Sequence, residues 1–172
     1  MMFGAILDEL DALVIVLLGK APTIHRLYFA SLAYMVTGVL SGLFYREFTK
    51  ANDFPAGQFT QLGLVHTHLL TLGFIVLLIV LLLEKVFALS QHGKLFGWFF
   101  WLYNAGLIVT SGGLVWHGTL TVLGRESSAM ISGIAGLGHM LLTAGMVIFF
   151  IILGRSLKTT TIAAPAAERV EA

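Results

Sequence analysis

The sequence predicts an all-α membrane protein, an up-down bundle of four transmembrane helices. Three observations lead there. Hydrophobic residues make up 58% of the chain and charged residues 11%, against about a quarter charged in a soluble domain, so lipid must be the solvent for much of the surface. Four segments reach the ~20 apolar residues needed to cross a bilayer: 27–45, 62–83, roughly 95–120 and 129–153. The connections REFTKANDFPAGQFTQ, EKVFALSQHGK and GRESS are short and polar, which makes successive helices antiparallel neighbours.

In chain order, residues 1–24 are an extension. Phe3, Ile6, Leu7, Leu10, Leu13, Val14, Leu17 and Leu18 follow helical spacing, with Asp8, Glu9 and Asp11 off that face. Two readings stand for it: an amphipathic helix lying at the membrane surface, or a disordered extension. Acidic residues where a basic region belongs argue against a secretory signal. Residues 25–158 hold the four spans. The first carries Gly38 and Gly42 in a GxxxG spacing that serves either internal packing or a homodimer. The third is longer than a bilayer needs, so it tilts or protrudes. Residues 159–172, TTTIAAPAAERVEA, read as a disordered tail.

Charge sorts the ends. Lys20, Arg26, Lys85, Lys94, Arg155 and Lys158 fall on one face, and Arg46, Lys50 and Arg125 on the other. The positive-inside rule then makes both termini cytoplasmic. A net charge of +1 gives no electrostatic case for nucleic acid. The chain has no cysteine, which excludes disulfides, thiolate metal sites, iron–sulfur clusters and covalent c-type haem. A cofactor would have to be held by His, Met, carboxylate or backbone.

Four of the six histidines lie inside spans: His66 and His68 on the second, His117 on the third and His139 on the fourth. Alternating topology puts all four in the outer half of the membrane. His68 stands sixteen residues before Glu84 and His139 sixteen before Arg155, so both lie ~24 Å above the cytoplasmic boundary, and His66 ~27 Å. His117 comes out at ~34 Å counted from Lys94, or ~24 Å from Trp101. Residues two apart on a helix point ~200° from one another, so His66 and His68 face different neighbours. The i, i+4 pair of zinc proteases is absent. His25 and His92 flank spans and read as solvated. Small residues share the arcs of His117 (Gly113, Thr110, Gly106) and His139 (Ser132, Ala135, Gly136, Thr143). Such faces admit a flat macrocycle, but they also let helices pack closely.

An unpaired polar group in hydrocarbon costs several kcal/mol. Four imidazoles on three helices therefore point to something they hold, with interhelical hydrogen bonding as the plainer account. Haem b is the first candidate, because facing helices in a bundle commonly supply two axial imidazoles. The matched heights pair His68 with His139, and His66 with His117 would make a second, more superficial site. Arg46 and Arg125, with Lys50, would meet the propionates. Copper or zinc is the competing occupant, with Met130 or Met140 as a soft ligand for cuprous ion.

Two resemblances bear on this. HRLYFASLAYMVTGVLSGLFYREF, a loop and then LVHTHLLTLGF distantly resemble the first two helices of haem–copper oxidase subunit I. There the second helix opens with a haem-ligating histidine, and His66 is the better match to it. The oxidase's later ligand-bearing helices, copper site and proton channels have no counterpart, so oxygen reduction is not implied. HTHLLTLG, LLLEK, FFWLYNAGL, WHG and ISGIAGLGH together resemble a family of small four-span bacterial membrane proteins of unknown function. That set is similar in turn to haem-sequestering membrane proteins, which implies binding of surplus haem. The expectation is a b-type haem protein with two histidine ligands, serving sequestration, storage or electron relay. One alternative is a quinone-linked or metal-dependent membrane oxidoreductase. The other is a cofactor-free accessory protein with a structural histidine cluster.

Overall fold

The structure, a computed structural model, describes residues 22–126 and 128–168, with side chains as far as Lys158 except Ser132. The N-terminal extension's amphipathic pattern at 3–18 lies outside the described residues. Four helices are long and apolar enough to cross a membrane: α1 (Thr23–Ala51), α2 (Leu62–Phe87), α3 (Lys94–Val122) and α4 (Ala129–Glu168). No strand occurs among the described residues.

Each helix outruns its apolar window. Hydropathy ends where water begins, whereas the helical hydrogen-bond ladder continues until a residue breaks it. Thus α1 starts directly after Pro22, absorbs Arg46, Glu47 and Lys50, and stops before Asp53, whose φ is 49°. In the same way α4 continues as helix to Glu168, into the stretch expected to be a disordered tail. Between α2 and α3, Ala88 turns left-handed at φ 47°, a short 3₁₀ turn covers Leu89–His92, and Gly93 at φ 44° opens α3. The buried Glu84 carboxylate fastens this turn by accepting from the Ser90 amide (2.8 Å) and the Ser90 hydroxyl.

Neighbouring helices run antiparallel and touch through glycine. A methyl group added at Gly106 would fall 2.5 Å from the Leu142 nitrogen and 2.8 Å from the Gly138 oxygen. One at Gly138 would overlap the Thr110 hydroxyl, and one at Gly145 would lie 2.9 Å from the Tyr103 nitrogen. The small face beneath His117 and His139 is thus largely used to bring α3 and α4 together along their length. On α1, Gly38 lies against Leu70 and Gly42 against His66, so the GxxxG face is filled by α2. Helix α2 also packs on α3, where Gly118 meets the Leu62 backbone and the Thr60 hydroxyl donates to the Gly118 carbonyl (3.0 Å). Contact between α1 and α4 is slight. The bundle is therefore two hairpins joined through α2 and α3 and open between α1 and α4.

The buried core runs on to Leu62, Val65 and Val122 at the histidine end, and its aromatic part lies toward the other. Leu27, Leu77, Val80, Phe96, Phe99, Tyr103, Phe149 and Ile152 are all buried. Phe99 sits at their centre, with ring centroids 5.5 Å from Phe96, 5.8 Å from Tyr103 and 5.3 Å from Phe149. All these residues occupy the half that includes Glu84 and Lys94. The spanned histidines occupy the other half.

Candidate cofactor-binding site

The site begins with a defect in α2. Leu69–Ile75, directly after His68, is π-helical. Its hydrogen bonds reach one residue further than in an α-helix, which widens the turn; such segments are frequent at functional sites. Neighbouring side chains meet the carbonyls inside it. Tyr103 donates its hydroxyl to the Leu72 carbonyl (2.9 Å), and Ser31 donates to that of Phe74 (3.2 Å). Gly73 makes room for the Tyr34 ring, whose hydroxyl donates to Asn104 Oδ1 (2.9 Å), while Asn104 Nδ2 donates to the Phe100 carbonyl (2.7 Å). Ser31, Tyr34, Tyr103 and Asn104 were not among the sequence candidates. Asn104 was visible as an amide within an apolar run, but its partners, Tyr34 on α1 and the Phe100 carbonyl, depend on helix packing that hydropathy does not reveal.

His68 and His139 come together across the space between α2 and α4. Their ring centroids are 6.4 Å apart and the planes stand at 87°. Each Nδ1 lies 2.9 Å from a carbonyl four residues earlier, Leu64 for His68 and Ala135 for His139. A carbonyl can only accept, so Nδ1 carries the proton in both rings and Nε2 of the neutral imidazole holds a free lone pair. The same bond turns Nε2 away from its own helix. Metal-binding histidines are oriented by this kind of second bond. Two imidazoles on opposite sides of one metal, with metal–nitrogen bonds of ~2.0 Å and ring centres ~1.1 Å further out, would have centroids ~6.2 Å apart. The observed spacing fits that demand.

The pair is also accessible. His68 is half-buried and His139 exposed. A methyl group at Gly136, one turn from His139, would meet nothing within 4 Å. Contacts between α2 and α4 are concentrated in the Val76–Phe87 half of α2, so the helices are parted where the rings face each other.

The other candidates are placed apart from this pair. His66 lies on the α1 side of α2, against Gly42, with Nδ1 buried and unpartnered and Nε2 3.4 Å from the Thr67 hydroxyl. His117 is half-buried, and its carbonyl accepts from Thr121 (3.1 Å). Among the described residues, no three His, Asp or Glu side chains meet closely enough to hold one metal ion. The four histidines therefore do not form a single cluster, and among the described residues no third His, Asp or Glu joins the pair as a ligand for copper or zinc. Arg46 and Arg125 are exposed at the histidine end, with Arg46 3.5 Å from Glu47 in a solvent-facing pair. His25 is exposed, and His92 lies 3.2 Å from the Ser156 hydroxyl.

No curated protein and no solved structure matches the chain. Neither comparison shows a likeness to haem-sequestering proteins or to haem–copper oxidases. A family model does match residues 24–156, nearly all of the stretch from the start of α1 to Lys158 that holds the four membrane-length helices. Its description is "Protein of unknown function (DUF2871)", and the chain belongs to that family.

Proposed function

We propose that the chain is an integral membrane protein that binds a b-type haem between His68 and His139, for haem sequestration, storage or electron relay. The observation that carries this reading is the facing pair itself: two imidazoles 6.4 Å apart, each with Nδ1 tied to a backbone carbonyl. Each ring gives its Nδ1 proton to its own helix, so the two rings are not joined to one another through those protons. When bound, haem would supply one-electron redox chemistry. His68 and His139 would hold it, and the opening between α2 and α4 would admit its edge. Arg46 and Arg125, at the same end, are the cations available to propionates.

The membrane placement is supported by the four helices and by exposed apolar side chains such as Val39, Leu40, Ile79, Leu82, Val147 and Phe150. The charge bias orients the termini to the cytoplasm and the histidine pair to the outer leaflet. A copper or zinc centre is the weaker reading, since its usual third ligand is not assembled.

The test is an absorption spectrum of the detergent-purified protein, oxidised and reduced, with and without haemin. A sharp Soret band with split visible bands on reduction is expected. That spectrum should vanish in His68→Ala and in His139→Ala and persist in His92→Ala. A colourless protein indifferent to haemin would overturn the proposal.

A further inference from the structure

A pocket apart from the histidine pair lies between α1 and α3, with Leu69 of α2 at its edge. It encloses about 420 Å³, within the range of small-molecule sites. Ala30, Ala33 and Thr37 of α1 form one wall, and Tyr34, Asn104 and Ser111 form the polar floor. Ala33 and Thr37 are exposed, so the pocket opens sideways, toward what would be lipid.

The floor carries unused hydrogen-bonding capacity. Ser111 is only 6% exposed, and its hydroxyl has no partner among the described residues. The Asn104 amide has two N–H groups, of which one is given to the Phe100 carbonyl. A buried hydroxyl left unpaired costs free energy wherever it stands, and this one lines a cavity rather than a packed interface.

Depth narrows the ligand class. Trp98 and Trp101 near one end of α3 and Trp116 near the other are 62%, 54% and 48% exposed, as expected of an aromatic belt at each interface. The midpoint between Trp101 and Trp116 puts Ser111 and Asn104 within ~7 Å of the bilayer centre. Lipid ester carbonyls lie ~15 Å from that centre, so a phospholipid offers these donors only hydrocarbon. A molecule that answers them must dissolve in the membrane interior and carry its own acceptors. Ser111 and Asn104 share one face of α3 two turns apart, ~10.5 Å along the axis. The carbonyl oxygens of a para-quinone are about 5 Å apart, and a hydrogen bond of about 2.9 Å at each end brings the span to ~11 Å.

We infer that this pocket binds the head of a membrane-dissolved quinone, one carbonyl toward Ser111 and the other toward Asn104. The inference rests on the membrane placement proposed above and not on the haem, so it is tested on the protein with or without haemin.

The full chain, reconstituted in phospholipid nanodiscs, is labelled with a photoreactive azido-benzoquinone, and the adducts are mapped by peptide mass spectrometry. Labelling is expected within 30–37 or 104–111 and should be protected by excess unlabelled benzoquinone. Ala33→Leu, at a lipid-facing position that leaves the fold intact, should reduce labelling at least tenfold. Ser111→Ala should weaken protection by roughly fivefold, the usual effect of one hydrogen bond. Label scattered over all four helices, label indifferent to Ala33→Leu, or no label because an acyl chain or a second copy fills the pocket would each overturn the inference.

Discussion

The hydroxyl of Tyr103 on α3 donates to the carbonyl of Leu72 on α2, 2.9 Å away and inside the π segment that follows His68. One end of this bond is a fully buried ring in the aromatic core. The other is a backbone group that α-helical geometry would have paired within the helix. The bond therefore links the core to the angular position of His68.

Removing that bond should act at two places. Tyr103→Phe leaves the Leu72 carbonyl without its partner, and membrane hydrogen bonds of this kind are worth about 0.6–2 kcal/mol. A modest drop in melting temperature in detergent is expected. The larger effect should be on haemin affinity, because α2 is then free to rewind and turn His68 away. A Tyr103→Phe variant with lowered stability and undiminished haemin affinity would refute the link.

The histidines should separate by role. His68→Ala and His139→Ala should each abolish the six-coordinate spectrum in a haemin titration. His66→Ala should leave it in place, because His66 faces Gly42 on α1 and its buried Nδ1 has no partner to lose. Loss of the spectrum in His66→Ala alone would move the ligand to the residue that the oxidase likeness favours.

Two glycines on α3 should respond oppositely to the same methyl group. Gly106→Ala must push against the Leu142 and Gly138 backbone, an overpacking cost of about 1–3 kcal/mol. Gly112→Ala meets nothing within 4 Å and should be neutral or stabilising by up to ~1 kcal/mol through helix propensity. Paired thermal unfolding curves in detergent would show the contrast, and equal shifts would contradict the packing of α3 on α4.

Glu84 offers a separation of stability from ligand binding. Glu84→Ala strips the Ser90 amide and hydroxyl of their acceptor, at a cost of about 1–3 kcal/mol. The turn lies at the far end from the histidine pair, so the melting temperature should fall while the haemin spectrum is unchanged. A changed spectrum would mean that the two ends are coupled.

Much of the frame was legible in the sequence because hydropathy and span length are additive along the chain. Four helices, their order and their antiparallel run follow from those quantities. The levels of His68 and His139 follow from equal counts to Glu84 and Arg155, and the rings are 6.4 Å apart. What stayed hidden depends on contacts between helices. The glycines near His117 and His139 read equally as a cofactor face or a packing face; Gly106, Gly113 and Gly138 meet the neighbouring helix, while Gly136 stays open. The heights alone would have allowed His66 to pair with His139, but the angular spacing on α2 places His66 against α1. The π segment has no hydropathic signature at all, and with it went the roles of Tyr34, Tyr103 and Asn104.

The glycine seams reach the histidine end. Gly145 and Gly106 hold α3 to α4 in the aromatic half, Gly113 meets Ala135 one turn from His139, and Gly118 meets Leu62 near the start of α2. His139 and His68 are therefore carried on two flanks of one spine, α3. A guest entering between them should leave amide exchange slow along both seams, and exchange that quickens at 135–139 on loading would mean that a seam has to break first.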